Sequence, residues 1–454
     1  MKKNCIIVIW LAVLVVATTG SAQTFTLLRS FAGAPNGGAN PMGSLILSNG
    51  TIYGMTSQGG VAGGGEVFRM STNGGSVTNL HSFSAYAGNG LNPSAALILS
   101  GSTLYGMTGA GSYWGAGLVF RVNTDGSAYT NLHSFTGGAT NGSIPYGSLT
   151  LVSGKLYGMT MHGGASDLGV LFRINTDGSG YTNLHVFTGG ATNGAWPSGD
   201  LVVSGTTFYG LTSQGGTNNL GTVFCVNTDG SGYTNLHSFA GYPNEGASPP
   251  RSLTLDGSTL YGVAQSGGAA NLGVVFKLNT DGGSYTNLHS FAGGTGDGAN
   301  PDGSLTLANG SLYGMTSVGG ASNLGVLFRV STDGSSYTNV HSFAGGTGDG
   351  ASPSWCSLML DSSTLYGMTY YGGTNNDGVV FALSNLPAAP PPTLAIMQMG
   401  TQAIISWDAT VTGWMLQTNA NLATLAWGNY LGAVVNNRVT NAPPKGNVFF
   451  RLKQ

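Results

Sequence analysis

Charged side chains are scarce in this sequence. Asp, Glu, Lys and Arg make up 7% of its 454 residues, and the formal net charge is −2. No basic cluster is visible in it, which argues against a nucleic-acid partner. Because 41% of the residues are hydrophobic and 10% are aromatic, the chain is more apolar than a disordered protein. We therefore expect a folded protein that Asn, Thr, Ser and exposed backbone groups keep soluble.

Cysteine is also rare, with Cys5, Cys225 and Cys356 as the three copies. A disulfide requires two thiols at a defined separation and orientation. Cys225 and Cys356 fall at different positions of the repeat described below, so we expect neither a bond between them nor a disulfide framework. Cys5 lies in a segment that we expect the mature protein to lose.

Apolar runs long enough to span a bilayer are missing as well. The longest run begins at Ile6, follows two lysines and precedes a Gly-Ser-Ala sequence, which is the pattern of a cleavable signal peptide. We predict that residues 1–22 are a signal peptide and that the mature chain begins at Gln23 without a transmembrane segment. The protein would then be extracellular, at the cell surface or periplasmic.

What the sequence does contain is a tandem repeat. The dipeptide Tyr-Gly recurs in fixed phase at seven positions, 52 residues apart five times and 53 residues apart once. The additional residue lies in "PSWCSL", where other copies read "PDGSL" or "PYGSL". The seven tyrosines are Tyr53, Tyr105, Tyr157, Tyr209, Tyr261, Tyr313 and Tyr366.

Each copy contains four short runs, which we call A to D in chain order. In the sixth copy they read "SLTLANG", "SLYGMTS", "GVLFRVS" and "YTNVHSF". Turns with Asn-Gly or Asp-Gly join A to B and C to D, as in β-hairpins. Four strands in a unit of this length, repeated seven times, are typical of a β-propeller. The sequence thus predicts an all-β fold in which residues 23–383 form a seven-bladed β-propeller of four-stranded blades.

The two ends of the repeat region indicate how the ring closes. The last copy stops after run C, at "GVVFALS", whereas the mature N-terminus contains a run similar to D, Thr24–Phe31. We predict that this first strand completes the last blade and closes the propeller. A closed ring also removes the exposed sheet edges that favour aggregation.

The order "LYGMTSVGG" followed by "GVLFRVSTDGSSYTNV" resembles the kelch repeat. The longer unit "LYGMTxxGG … GxxFRxxTDGxxYTNLHSF" resembles, over residues 24–383, the GloVer tandem repeat of "choice-of-anchor" exported proteins. This resemblance implies an exported repeat protein exposed at the cell surface. It does not imply a particular activity.

Beyond the repeats, residues 384–393 read "SNLPAAPPPT" and form a proline-rich linker. Residues 394–454 contain alternating runs, among them "QAIISW" and "NVFFRL". These runs predict a small β-sandwich-like C-terminal module, which would dock to a surface or cap the propeller.

Two polar residue types recur in most copies. A residue repeated around a ring points away from its copies, whereas a site is usually singular. We therefore predict blade contacts for the repeated histidines of run D and turn formation for the aspartates between C and D. The histidines are His81, His133, His185, His237, His289 and His341, and the aspartates are Asp125, Asp177, Asp229, Asp281 and Asp333.

Residues that break the repeat concentrate in the longer B–C and D–A connections, on one face of the propeller. Variable loops on a rigid framework often bind ligands, and aromatic rings beside carboxylates and amides suit neutral sugars. We predict a non-catalytic site for a glycan or a cell-surface protein, on a monomer, with no cofactor and no metal. The candidate ligand-binding residues are Trp114, Tyr146, Trp196, Tyr242, Trp355 and Tyr371.

The alternative function is a polysaccharide hydrolase or lyase. Asp200 and Asp302, at the starts of inner strands, could act as acid and base if they lie about 5–10 Å apart, with Arg251 as the cation of this face. Copper oxidase chemistry is disfavoured because His162 is the one histidine outside the repeat. The oxygen-rich segment "GTGDGANPDG" could hold Ca²⁺, but its repeat position favours a turn.

Overall fold

A computed structural model describes residues 22–35, 37–84, 88–112, 114–387, 394–399, 402–407, 415–420, 427–432, 434, 438–441 and 448–453. By compactness the chain divides into two units, Met1–Pro387 and Ala388–Gln454. All regular elements in the described residues are β-strands, and none of these residues belongs to a helix that could cross a membrane. Residues 1–21 of the predicted signal peptide and 388–393 of the predicted linker lie outside the described ranges.

The first unit consists of repeated four-stranded antiparallel sheets, numbered 1 to 7 in the chain order of their B strands. The A strands are Ile46–Ser48, Ile98–Ser100, Thr150–Val152, Gly194–Ser204, Thr254–Asp256, Thr306–Ala308 and Met359–Asp361. The B strands are Thr51–Gly59, Thr103–Thr108, Lys155–Gly163, Thr207–Gly215, Thr259–Ala264, Ser311–Gly319 and Thr364–Thr369. The C strands are Glu66–Ser71, Leu118–Asn123, Val170–Asn175, Thr222–Asn227, Val274–Asn279, Val326–Ser331 and Val379–Ser384. The D strands of sheets 1 to 6 are Thr78–Ser82, Thr130–Ser134, Thr182–Val186, Thr234–Ser238, Thr286–Ser290 and Tyr337–Ser342.

Short strands extend several sheets at the D–A and B–C connections. They are Gly38–Pro41, Gly43–Ser44, Gly142–Pro145, Gly246–Ala247, Ser266–Gly267, Gly298–Pro301, Gly350–Ala351, Cys356–Ser357 and Tyr371–Gly372. The order A-B-C-D within each sheet is that of a propeller-like repeat fold, so the prediction of an all-β, propeller-like architecture is confirmed.

The first strand of the chain belongs to the last sheet. Thr24–Ser30 is the D strand of sheet 7 and runs antiparallel to Val379–Ser384, with Thr24 opposite Ser384 and Ser30 opposite Val379. A second link between the two ends is the parallel pairing of Gly43–Ser44 with Cys356–Ser357. Sheets 1 and 7 are therefore direct neighbours, although they are far apart in sequence.

The Tyr-Gly signature has a packing cause. In sheet 4, a Cβ atom at Gly210 would lie 2.5 Å from Cζ of Phe224 in the adjacent C strand, closer than the packing of a protein interior permits. Phe224 is fully buried, and the glycine of each of the other six Tyr-Gly pairs faces the equivalent phenylalanine. Glycine thus allows the ring of strand C to lie directly on the backbone of strand B.

The core lies between successive sheets. One cluster, for example, combines Tyr157 and Leu171 of sheet 3 with Phe208 and Phe224 of sheet 4. Each C strand is buried on both faces, which explains its successive apolar residues.

The second unit contains two three-stranded antiparallel sheets. One consists of Ala395–Met399, Gln402–Ser406 and Arg438–Asn441, and the other of Gly428–Asn429, Met415–Asn419 and Phe449–Lys453. Ile405 and Val439 of the first sheet share an apolar cluster with Leu416 of the second.

Candidate functional site

Asp200 lies where the A strands converge around a central cavity of about 420 Å³. The Ser148 N–H donates to Asp200 Oδ1 at 2.5 Å, and the Asp200 N–H donates to Ser252 Oγ at 2.6 Å. The Ser252 N–H continues the pattern to Ser304 Oγ at 3.2 Å. Asp200 therefore occupies a repeated position at which side-chain oxygens link neighbouring A strands.

Arg251 and Asp302 belong to a different group, together with Tyr146 and Trp355. Arg251 Cζ lies 4.9 Å from the centroid of the Tyr146 ring, and the Trp355 side chain lies beside the Tyr146 hydroxyl. The Trp355 backbone N–H lies beside the Asp302 carboxyl group. These residues come from sheets 3, 5, 6 and 7, so their contacts occur where the sheets converge. We call them the central cluster.

The central cluster contains a carboxyl group with unusual acidity. Asp302 is 4% exposed and Arg251 is 5% exposed. Burial raises the pKa of Asp302 to about 6, although the Arg251 charge and the Trp355 N–H oppose this shift. Nε and Nη2 of Arg251 and Oδ1 of Asp302 are buried without a hydrogen-bond partner among the described residues. The two groups thus interact through their charges without a hydrogen bond between them among the described residues.

Aromatic rings extend the central cluster towards solvent. The Trp355 and Tyr370 rings meet edge to face with centroids 5.3 Å apart, and the Tyr370 and Tyr371 centroids are 4.7 Å apart. Tyr371 is 44% exposed. Trp355 has φ +59° and belongs to the segment in which the last repeat carries its additional residue. Tyr370 was not among the six predicted ligand-binding residues. Its position next to the predicted Tyr371 could have indicated that it belongs to the same site.

Trp196 lies outside the central cluster, near the start of the A strand of sheet 4. Its ring centroid is 5.9 Å from that of His162, and its φ of +55° is unusual for a bulky residue. The same repeat position has positive φ in Asn40, Asn92 and Asn300, where the short amide side chain tolerates it. Trp196 therefore keeps a backbone conformation that the repeat imposes.

The six predicted ligand-binding residues are only partly brought together. Tyr146, Trp355 and Tyr371 belong to the central cluster and its aromatic extension, whereas Trp196 packs near His162. Trp114, in the B–C connection of sheet 2, is 65% exposed, and Tyr242, after strand D of sheet 4, is 63% exposed. Of the three alternative catalytic residues, Asp302 and Arg251 are neighbours and Asp200 is bonded to a different set of residues.

The oxygen-rich segment 294–303 directs its two carboxylates to different partners. Asp297 accepts hydrogen bonds from the Ala292 and Gly298 N–H groups and lies beside His289. Asp302 belongs to the central cluster. No group of three potential metal-ligating side chains is found in the described part of the chain.

The repeated histidines join one sheet to the next, as predicted. His185 stacks on Tyr233 of the following sheet with centroids 3.9 Å apart, and its Nε2 lies 3.3 Å from Asn193 Oδ1. The partner eight residues after the histidine is an amide in sheets 1 to 3 and a carboxylate in sheets 4 to 6. The C–D aspartates form turns: Asp229 Oδ1 accepts from the Ser231 N–H at 2.9 Å.

We expect His81, His133 and His185 to titrate below their ordinary pKa of 6.5, because burial disfavours the imidazolium more than the amide oxygen stabilises it. The unfolded chain then binds protons that the folded chain does not. The free energy of unfolding therefore decreases as the pH falls through 6.5 towards the lower pKa of the folded state. NMR titration of the ring protons, assigned with single His→Gln variants, checks this. His162→Gln, which leaves the three repeated histidines unchanged, serves as the control. A titration midpoint at or above 6.5 for His81, His133 or His185 would contradict the prediction.

The family model for the Gloeobacter/Verrucomicrobia repeat matches residues 13–219 and 190–381. Among solved structures, an oligogalacturonate lyase in complex with manganese is 13% identical, with 81% of this chain and 98% of that chain covered and a TM-score of 0.50. A GH74 xyloglucanase from Xanthomonas campestris is 13% identical, with 85% and 60% covered and a TM-score of 0.49. Comparison with curated proteins finds no match. At these identities the structural likenesses show the fold alone.

Proposed function

Because the chain belongs to the Gloeobacter/Verrucomicrobia repeat family, we propose that it is an exported, monomeric, non-catalytic protein that binds carbohydrate at the cell surface. In this proposal the seven sheets are the blades of one closed propeller, and a proline-rich linker precedes a small β-sandwich-like module. The pairing of the first strand with the last sheet supports closure. The apolar cluster shared by two three-stranded sheets supports the sandwich.

The observation that carries the proposal is the aromatic extension of the central cluster. Tyr370 contacts Trp355 on one side and Tyr371 on the other, each time edge to face, and these contacts orient the three rings. The partly exposed Tyr371 offers a ring to the apolar face of a sugar, since aromatic rings combine a large apolar area with a polar group. Trp355 and Tyr371 occur only in the last repeat, so the site is singular.

The binding function is preferred to catalysis because of where the charged groups lie. Asp302 and Arg251 are almost completely buried, whereas Trp355 and Tyr371 are partly exposed. Asp200, the second carboxylate of the enzyme hypothesis, is already bonded to Ser148. The elevated pKa of Asp302 favours the second candidate, a hydrolase or lyase, because a carboxyl group with this pKa can donate a proton near neutrality.

The test is calorimetric titration of the mature chain with xyloglucan, β-glucan and galactomannan, and with polygalacturonate as an anionic comparator. We expect a neutral polysaccharide to bind, and Tyr371→Ala or Trp355→Ala to weaken binding by about tenfold or more. Tyr242→Ala is the matched control, since Tyr242 is a more exposed tyrosine outside the aromatic extension.

Failure of every neutral polysaccharide to bind, or an equal loss with Tyr242→Ala, would overturn the proposal. The same mixtures are assayed for new reducing ends and unsaturated sugars. Product formation that Asp302→Asn abolishes would establish the enzymatic alternative instead.

A further inference from the structure

The junction between sheets 7 and 1 departs from a contact that the other junctions share. At five junctions a histidine of one sheet stacks on a tyrosine of the next, and at the junction of sheets 6 and 7 His341 stacks on Phe25. At the closing junction, between sheets 7 and 1, Arg29 occupies the histidine position and Val77 the tyrosine position. The closing junction therefore lacks the aromatic stack that the other six junctions have.

The polar part of the missing tyrosine has been replaced by a carboxylate. In sheets 3, 4 and 5 the tyrosine hydroxyl accepts a hydrogen bond from a glycine N–H, as Tyr181 does from Gly142 at 3.2 Å. In sheet 1 the equivalent glycine, Gly38, faces Glu66, whose Oε1 lies 2.8 Å from the point that a Cβ atom at Gly38 would occupy. Asn79 donates to the same carboxylate, whereas in sheet 3 the equivalent Asn183 accepts from the Tyr181 hydroxyl at 2.9 Å.

Glu66 is unusual for its own position. It is 1% exposed and lies in strand C, where the other sheets have Leu, Val or Thr. Burial raises the pKa of its carboxyl group, and the bonds from Gly38 and Asn79 only partly oppose this. An ionised carboxylate has about four acceptor sites, so the bond from Asn79 leaves it able to accept a further hydrogen bond.

A cavity of about 390 Å³ is lined by Arg29 and Val77, the two residues at the positions of the missing stack. Its volume falls within the range of small-molecule sites, about 300–1,000 Å³. Phe31 and Val77 provide apolar walls, Glu66 and Asn79 polar groups, and the exposed side chain of Arg29 also lines it. A guanidinium over an aromatic face is a favourable arrangement, and it would replace the histidine stack of the other junctions.

We propose that the closing junction is a second binding site, specific for a phenolic ring whose hydroxyl donates to Glu66 and whose face stacks against Arg29. The ligand takes the place that tyrosine holds at the equivalent junctions. This site is distinct from the aromatic extension of the central cluster and does not depend on the carbohydrate proposal.

The probe is 4-methylphenol, the tyrosine side-chain analogue, titrated into the mature chain and followed by NMR. We expect saturable binding with shifts at Gly38, Val77 and Asn79. Toluene, which lacks the hydroxyl, should bind about tenfold more weakly, since Glu66 then loses its ligand donor. Val77→Tyr should abolish binding and raise the melting temperature, because the new tyrosine side chain would occupy the cavity in place of the ligand. Val203→Tyr, at a partly exposed valine of sheet 4, is the matched control.

Glu66→Val provides an independent variant if Val77→Tyr does not fold. It restores the residue type of other sheets and should narrow the difference in affinity between 4-methylphenol and toluene, because the phenol hydroxyl loses its carboxylate acceptor and can then only accept from the Gly38 N–H. Equal binding of 4-methylphenol and toluene, binding that survives Val77→Tyr, or an absence of saturable shifts would each overturn the proposal.

Discussion

A chain that begins at Ala32 should be largely unfolded or aggregated at temperatures where the mature chain is native. The deletion removes the D strand of sheet 7 and exposes the edge of Val379–Ser384. It also removes Phe31, which is 3% exposed, and Phe25, whose ring stacks on His341 with centroids 3.8 Å apart. Loss of one buried phenylalanine side chain costs about 3–5 kcal/mol, so loss of the whole strand approaches the net stability of a typical protein, about 5–15 kcal/mol.

Thermal unfolding followed by circular dichroism, together with size-exclusion chromatography, measures this effect. The control is a chain that begins at Gln23, which keeps the strand and should melt with the complete protein. A peptide of residues 23–31 added to the shortened chain should restore the native signal, whereas the same peptide with Phe31→Ala should not. Equal melting temperatures of the shortened and control chains would show that the first strand does not hold the last sheet in place.

The second large effect is expected from Gly210→Ala. The added methyl group would overlap Cζ of Phe224 at 2.5 Å, and Leu201 Cδ2 lies only 3.2 Å from the same point. Phe224 is fully buried and Leu201 is 4% exposed, so neither can move without opening the contact between strands B and C. Overpacking of this kind destabilises a protein by about 1–3 kcal/mol.

Gly296→Ala is the matched control for this substitution. A Cβ atom at Gly296 would have no heavy atom within 4 Å, and its backbone is not in the left-handed region. We expect the control to be neutral or slightly stabilised, because alanine reduces the freedom of the unfolded chain. Chemical denaturation of both variants gives the comparison. Equal stabilities would mean that the Tyr-Gly signature does not arise from packing under the phenylalanine.

The fold could be read from the sequence because its determinants are local and repeated. Turns with Asn-Gly and Asp-Gly, and short runs of β-branched and aromatic residues, specify hairpins without reference to distant parts of the chain. The role of Thr24–Phe31 could also be inferred, since the last copy lacked the run that this segment supplies.

The candidate functional site was harder to predict from the sequence than the fold. Trp355 and Tyr371 were identified because they break the repeat, yet Trp114 and Tyr242 break it too and are not part of the central cluster. Tyr146 and Arg251 are two repeats apart in the sequence. Their contact therefore depends on how the segments that precede the A strands of sheets 3 and 5 come together. The sequence alone did not indicate a site at the closing junction, because Arg29, Glu66 and Val77 deviate from the repeat in three different runs.

By itself, the sequence determined the strands, the turns, the period and the pairing of the first strand with the last repeat, because hydrogen-bonded hairpins follow from local residue preferences. It also indicated that the repeated histidines and aspartates were structural. Only the tertiary structure decided that Asp302 is buried beside Arg251, that Tyr146 and Trp355 are neighbours while Tyr370 connects Trp355 to Tyr371, and that one junction lacks its aromatic stack. Burial and contact between distant repeats are properties of packing, and packing is set by all the sheets together.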